Sequence, residues 1–408
     1  MTESGPTDTK MPARIRVAVL NTHPIQYFAP LYRYITTNAP EIELTALYCS
    51  DYSLRGEMDP GFSKIVTWDV DLLEGYNHRF LGPRVKQRSP SGFWSLWVPE
   101  VWSELRRDRY DVLWLHGYGY LVCWLALLAA KSSGIKVMFR GETHLSLARS
   151  DWRRRIRDAV LRWVFRHIDA FLAIGSRNRE YYLAMGVAPS QIHLVPYSVD
   201  NDRFFAAASI SDGERLRLRA EMGFDADIPI VLYASKTIPR KHPDTLVRAV
   251  TALQARGQRL ALCMVGSGPM DAQLKLLAES LDTRDVHFRG FVNQSQLPSV
   301  YAACDIFVLA AESEPWGLVV NEVMCAGLPV VLTPEVGCAI DLVIDGENGR
   351  KVPAGNVDAL ADAIESIVRR PNGSREMGAR SRDRISQWGY RECVRGLVEA
   401  TSQICVNK

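Results

Sequence analysis

The chain has 408 residues, 47% of them hydrophobic and 23% charged, which is ordinary for a soluble globular protein and long enough for two domains that each bury a core. A net charge of only +3 excludes a whole-molecule field that captures nucleic acid, so any basic function is local. The eight cysteines form no C-x-x-C pair and mostly sit in apolar runs, a pattern of reduced, buried thiols rather than disulfides or a zinc site, and this predicts a cytoplasmic compartment.

The first residues, Met1 to Arg14, are polar and read as no signal peptide. Ile15-Arg-Val-Ala-Val-Leu20 then predicts a first strand, ending in the polar loop Asn21-Thr-His-Pro-Ile-Gln-Tyr-Phe28, with Pro30 placed to begin a helix. Such a loop faces the crevice at the carboxyl edge of a sheet, so His23, Gln26 and Tyr27 are candidate substrate-reading side chains on the acceptor side. Residues 50–100, rich in Trp, Gly and Pro, predict loops with one or two short strands. Strands over 42–49, 111–116, 135–140 and 170–174 alternate with helices and predict a doubly wound domain closing near residue 195. Within it, the apolar stretch Tyr120 to Ala130 is too short to span a bilayer.

Arg140-Gly-Glu-Thr-His144 follows a strand directly and sets Glu142 and His144 on a carboxyl-edge loop, where a histidine is either structural or functional. The segment from Asp151 to His167, which carries Arg153, predicts a basic amphipathic helix with Ile156, Val160, Trp163 and Val164 on one face. Two accounts of it stand side by side. That face packs on the domain, or the helix lies on anionic lipid headgroups.

After a linker at 195–204 and a charged helix over 212–222, strand 230–234 opens the second domain. It leads into Ser235-Lys-Thr-Ile-Pro-Arg-Lys-His-Pro243, which gathers Lys236, Arg240 and Lys241 before a helix N-terminus, a setting suited to a diphosphate. Strand 260–265 precedes Gly266-Ser-Gly-Pro269, which permits close backbone approach but lacks the third glycine of a dinucleotide fingerprint because Asp271 stands there. The run Ile306 to Ala310 predicts a buried parallel strand, and Pro315 is expected in the first turn of a helix that stops at Gly327. At about 1.5 Å of rise per residue, Glu314 and Glu322 on that helix stand roughly 12 Å apart, whereas two acids flanking one glycosidic bond are about 5 to 9 Å apart. The spacing therefore fits two ends of one long ligand better than one bond. A nucleotide sugar has such ends.

Glu314 and Glu322, an E-x7-E pair in the context Glu-Pro-Trp-Gly-Leu, resemble the signature of family-4 retaining glycosyltransferases of the GT-B fold, the group 1 glycosyl transferases. Lys236 and Lys241 match that family's spaced basic pair, and Gly266-Ser-Gly-Pro, Gly290-Phe-Val, Ala326-Gly-Leu-Pro-Val330 and Val336 to Gly349 follow in the expected order. The likeness is close over residues 195–390 and loose before them. It implies an α/β architecture of two facing Rossmann-like domains with parallel sheets, over 13–200 and 201–387, and a final helix over 388–408 that crosses back to the first domain.

The resemblance also implies roles. Glu322 holds the ribose hydroxyls, Glu314 the donor-sugar hydroxyls, Lys236 and Lys241 the diphosphate, and backbone near Phe291 and Val292 the base. Trp316, Gly317 and Leu318 supply backbone N–H groups between the two acids, and His144 matches the first-domain histidine near the reacting carbon. Two departures stand out: lysine replaces the usual arginine at 236, and Asn21 to Tyr27 replaces a glycine pair in the first loop. The implied reaction is transfer from a nucleoside diphosphate sugar to a glycan or lipid-linked acceptor with retained configuration, with no metal or other cofactor and no nucleic-acid partner. The expected setting is the cytoplasm, at the inner face of a membrane when the Arg153 helix engages it. A nucleotide-sugar epimerase of the same fold and a non-catalytic nucleotide-sugar-binding protein are the alternatives.

Overall fold

In the computed structural model, which describes residues 14–59, 63–83, 85–107, 110–147, 152–370 and 372–405, the short apolar runs become the strands of two parallel sheets. The first has seven strands in the spatial order Asn77–Phe80, Ile42–Tyr48, Ile15–Asn21, Val112–His116, Lys136–Arg140, Ala170–Ala173 and Ile192–Leu194. The second has six, in the order Val286–Gly290, Ala261–Val265, Ile230–Ala234, Ile306–Leu309, Val330–Leu332 and Gly349–Lys351. Strands in the middle of both sheets are buried along nearly their whole length, because helices cover both faces and leave no polar side to the pleat.

Strand order reverses between Ile15–Asn21 and Val112–His116 in the first sheet, and between Ile230–Ala234 and Ile306–Leu309 in the second. Loops leaving the carboxyl ends at such reversals part from each other and open a crevice. The two crevices face one another. Gln403 Nε2 on the final helix, Tyr390–Cys405, donates to the Ser190 carbonyl at 3.0 Å, so this helix returns to the first domain. Gly396 makes that packing possible, since a Cβ there would lie 1.9 Å from the Leu194 carbonyl oxygen.

Three expectations are corrected. The second-domain helix begins at Leu318, not near Pro315, because Gly317 caps it in the left-handed region at φ 92°. The 50–100 segment contributes an edge strand, Asn77–Phe80, a small antiparallel ladder of Met58–Asp59 with Lys64–Ile65, and the helix Glu100–Arg107. On the basic helix, Trp152–Phe165, the packed side chains are Leu161, Val164 and Phe165, while Ile156, Val160 and Trp163 are exposed. The side chain of Arg153 lies outside the described residues. Among those residues no helix is long and apolar enough to cross a membrane.

Candidate active site

The facing crevices form one cleft of about 500 Å³ between the domains. Its second-domain wall begins with the loop after Ile230–Ala234. The glycine turn at 266–268 presses against this loop, and a Cβ on Gly266, whose φ is 117°, would lie 1.9 Å from the Ser235 carbonyl oxygen. Thus held, the loop presents Lys236, Arg240 and Lys241 to the cleft.

Lys241 Nζ lies 3.0 Å from Glu314 Oε2 and donates to Ser235 Oγ, and Arg240 Nη1 stands 3.9 Å from the same carboxylate. Burial lowers the Lys241 pKa and the neighbouring Glu314 raises it again, so the pair sits in a setting where charge is only partly screened. Lys236 Nζ reaches the other way, 2.9 Å to Asp59 of the first domain.

Glu322 sits one turn into the helix Leu318–Cys325, on its inward face, and is 1% exposed. Tyr301 donates to its Oε2 at 2.7 Å, and burial raises the carboxyl to about 7 against the opposing pull of that hydrogen bond. Its other oxygen, Oε1, accepts no well-formed hydrogen bond, although the Tyr27 hydroxyl is close by. A buried acceptor left in this state costs free energy until a donor arrives.

The first-domain wall carries His23, whose Nδ1 is 2.8 Å from Thr22 Oγ1 and whose pKa burial lowers to about 4 despite Asp59, so its ring is neutral at physiological pH. Gln26 and Glu142 line the same wall, and Tyr197 donates to Glu142 Oε1 at 2.5 Å. The segment 66–69 completes it. Trp68 meets Phe291 edge-on with ring centroids 6.0 Å apart, and Asn293 Nδ2 donates to the Thr67 carbonyl at 2.7 Å.

The family model for "Glycosyl transferases group 1" matches residues 214–384, and that for "Glycosyl transferase 4-like domain" matches residues 66–198. A GDP-mannose-dependent alpha-(1-6)-phosphatidylinositol monomannoside mannosyltransferase of Mycolicibacterium smegmatis is 31% identical over 323 residues, covering 74% of this chain and 80% of the relative. The chain belongs to the group 1 glycosyl transferases. Two solved structures share its fold across both domains. A glycosyltransferase of Rickettsia africae superposes with a TM-score of 0.73 at 14% identity, covering 97% of this chain and 100% of that one. HepE of Anabaena, solved with UDP and glucose, superposes with a TM-score of 0.71 at 16% identity, covering 96% and 100%. The architecture is the GT-B arrangement, and the protein is a glycosyltransferase.

Within this glycosyltransferase, every residue expected at the site lines the cleft except His144. His144 is 2% exposed and stands behind the wall, its Nε2 3.3 Å from the Glu314 carbonyl oxygen, with its pKa lowered by burial. It braces the Glu314 loop. Tyr27, expected on the acceptor side, turns its hydroxyl toward Glu322 and Gln294 of the second domain. Trp316 also joins the domains: its Nε1 donates to Asn321 Oδ1 at 3.0 Å, and Asn321 Nδ2 donates to the Tyr197 carbonyl at 3.0 Å, so this unit clamps one domain to the other. Since residues 314–317 are not helical, helical rise does not measure the distance from Glu314 to Glu322. Sequence reasoning misses Asp59, Trp68, Gln294 and Tyr301, which reach the cleft from remote positions without a local motif.

Proposed function

We propose that this glycosyltransferase moves a sugar from a nucleoside diphosphate sugar to a hydroxyl of a glycan or lipid-linked acceptor, with retained anomeric configuration and without a metal ion. The observation that carries the reading is Glu322, a fully buried carboxylate beside a cationic loop, whose Oε1 has no well-formed hydrogen bond, with the Tyr27 hydroxyl near it. A ribose hydroxyl supplies the missing donor, and the diphosphate then lies toward Lys241, Arg240 and Lys236. Phe291 and Val292, with Trp68 opposite, leave an apolar slot for the base. Glu314 receives hydroxyls of the transferred sugar.

In the reaction the bond from the anomeric carbon to the diphosphate oxygen breaks, and its electron pair leaves with the phosphate. Cations fixed in a half-dry cleft stabilise that growing charge without reorganising. The acceptor hydroxyl forms the new bond on the same face, and its proton passes to the departing phosphate oxygen, so no carboxylate has to form a covalent intermediate. The M. smegmatis relative is named for a nucleotide-sugar donor and a lipid acceptor, which supports both classes here. Seven of the eight cysteines are buried thiols, which supports a reducing, cytoplasmic setting.

Calorimetric titration with intact GDP- and UDP-sugars tests the assignment. Glu322→Ala and Lys241→Ala each weaken donor binding by more than about tenfold, the loss of one buried charge-assisted hydrogen bond. Donor affinity unchanged in both folded variants overturns it.

A further inference from the structure

The helix Trp152–Phe165 is built the wrong way round for a helix that only packs. At 3.6 residues per turn Ile156, Val160 and Trp163 fall within about 60° of one another, and Arg155, Arg162 and Arg166 gather within about 40° on the flank, roughly 100° away. The buried residues, Leu161, Val164 and Phe165, take a third sector and close an apolar crevice with Cys123, Trp124 and Leu127 of the neighbouring helix Leu121–Ser132. Among the described side chains, the helix is therefore seated through its C-terminal half, without the apolar stripe. That stripe faces outward, with Ile156, Val160 and Trp163 at 56%, 47% and 62% exposure.

Charge is arranged beside it. The segment from Asp151 to His167 holds six arginines against two aspartates, in a chain whose whole net charge is +3. Arg157 pairs with Asp158, whereas Arg155, Arg162 and Arg166 are exposed and in no ion pair among the described residues. Elements close in the fold also expose apolar side chains. Leu128 on the neighbouring helix is 60% exposed, and the loop that hydrogen-bonds the start of that helix, Phe93 carbonyl to Leu121 N–H at 2.9 Å, exposes Trp94 at 75% and Trp97 at 55%.

We propose that this face of the first domain docks on an anionic lipid surface, with Trp163, Val160 and Ile156 in the acyl boundary and Arg155, Arg162 and Arg166 among the headgroup phosphates. A protein partner would have to bring an apolar groove of its own and has no need of the basic border, while a bilayer takes a convex stripe with a basic border as it stands. Tryptophan at the tip is the side chain that such a boundary favours. Docking keeps the cleft near the surface, because His144 behind the cleft wall and Trp152 at the helix start are only eight residues apart, a reach of at most about 27 Å. It holds whether or not the donor reading does, since it invokes no residue of the cleft.

Co-sedimentation of the whole protein with phosphatidylcholine vesicles, alone and mixed in equal parts with phosphatidylglycerol, tests the proposal. Binding is expected to the mixed vesicles only. Ile156→Ser, Val160→Ser and Trp163→Ser combined should reduce it at least about tenfold, since each side chain withdraws from a hydrocarbon boundary. Arg162→Gln with Arg166→Gln should reduce it by about tenfold as well. Both variants keep the thermal midpoint of the parent, as neither touches a buried side chain. Absence of binding by the parent, or binding by the serine variant equal to the parent, overturns the proposal. So does light scattering that shows a parent dimer dissociated by the serine substitutions, which assigns the stripe to a second copy of the chain.

Discussion

The two domains reach the cleft in different ways. The second domain builds its groups from within: Lys241 with Glu314, Tyr301 with Glu322, and the Gly266 turn under the cationic loop are all contacts inside one unit. The first domain sends single side chains across the gap, Asp59 to Lys236, Tyr27 toward Glu322, and Asp69 to the backbone N–H and hydroxyl of Ser295. Groups held within a domain keep their geometry when the cleft opens. Groups that bridge it are in place only when it is closed. On the proposed reading the second domain looks after donor binding, and the contacts across the gap, to which Asn293 and Asn321 of the second domain also contribute, look after whatever depends on closure.

Glu314→Gln should break this comparison most sharply. Its carboxylate is the counter-charge beside Lys241, and its backbone carbonyl takes His144 from the opposite domain, so it belongs to both descriptions. Loss of the charge should lower turnover by about 10² to 10³-fold, the scale of one preorganised electrostatic contact in a transition state. Donor affinity should fall far less. A steady-state assay in which KM for the donor changes and kcat does not would move Glu314 out of the chemistry and into binding alone.

Glu322 offers the next effect, and its sign follows from its environment. Burial raises the carboxyl from an ordinary 4.5 to about 7, and a ribose hydroxyl donates best to the ionised form. Donor binding therefore expels a proton below about pH 7, and affinity for an intact nucleotide sugar should rise about tenfold between pH 6 and pH 8, then level off. The stability of the free protein should run the opposite way. A raised pKa favours the folded state fully below the unfolded value and loses that favour as pH climbs toward 7, by up to roughly 3 kcal/mol. Glu322→Gln should flatten both profiles. A wild-type affinity that is level from pH 6 to pH 8 would falsify the ribose assignment.

How much of this is legible in the sequence divides along the same line. Runs such as Ile230–Ala234 and Ile306–Leu309 announce themselves because a strand buried on both faces has no alternation to confuse, and Gly266 marks a contact that no side chain survives. Asn77–Phe80 stays hidden because an edge strand of four residues, three of them polar and two exposed, has the pattern of a loop. The helix start shifts for a local reason: Pro315 suits a first turn, but the left-handed Gly317 delays it by three residues. Cross-cleft contacts are out of reach altogether. Asp59 and Lys236 are 177 residues apart, and their meeting is fixed by how two domains dock rather than by any spacing along the chain. The outward stripe on Trp152–Phe165 is a related case, since periodicity finds an apolar sector but not which of two sectors the domain covers.

Asp59→Asn is the smallest effect and the finest probe of the comparison. The Asp59 carboxylate is paired with Lys236, with the two side chains 28% and 34% exposed. On the proposed reading an anion on that lysine competes with the diphosphate, and the donor has to displace Asp59 before Lys236 can act. Partly exposed pairs of this kind are worth about 0.2 to 1 kcal/mol. Removing the charge should therefore tighten donor binding by up to about fivefold, whereas a first domain that merely weakened on substitution would bind the donor less well. If the second domain alone looks after binding, the gain should appear in the titration with no acceptor present. Should it appear only when acceptor is added, the bridge from Asp59 is part of closure, and the division between the domains is less clean than their contacts make it.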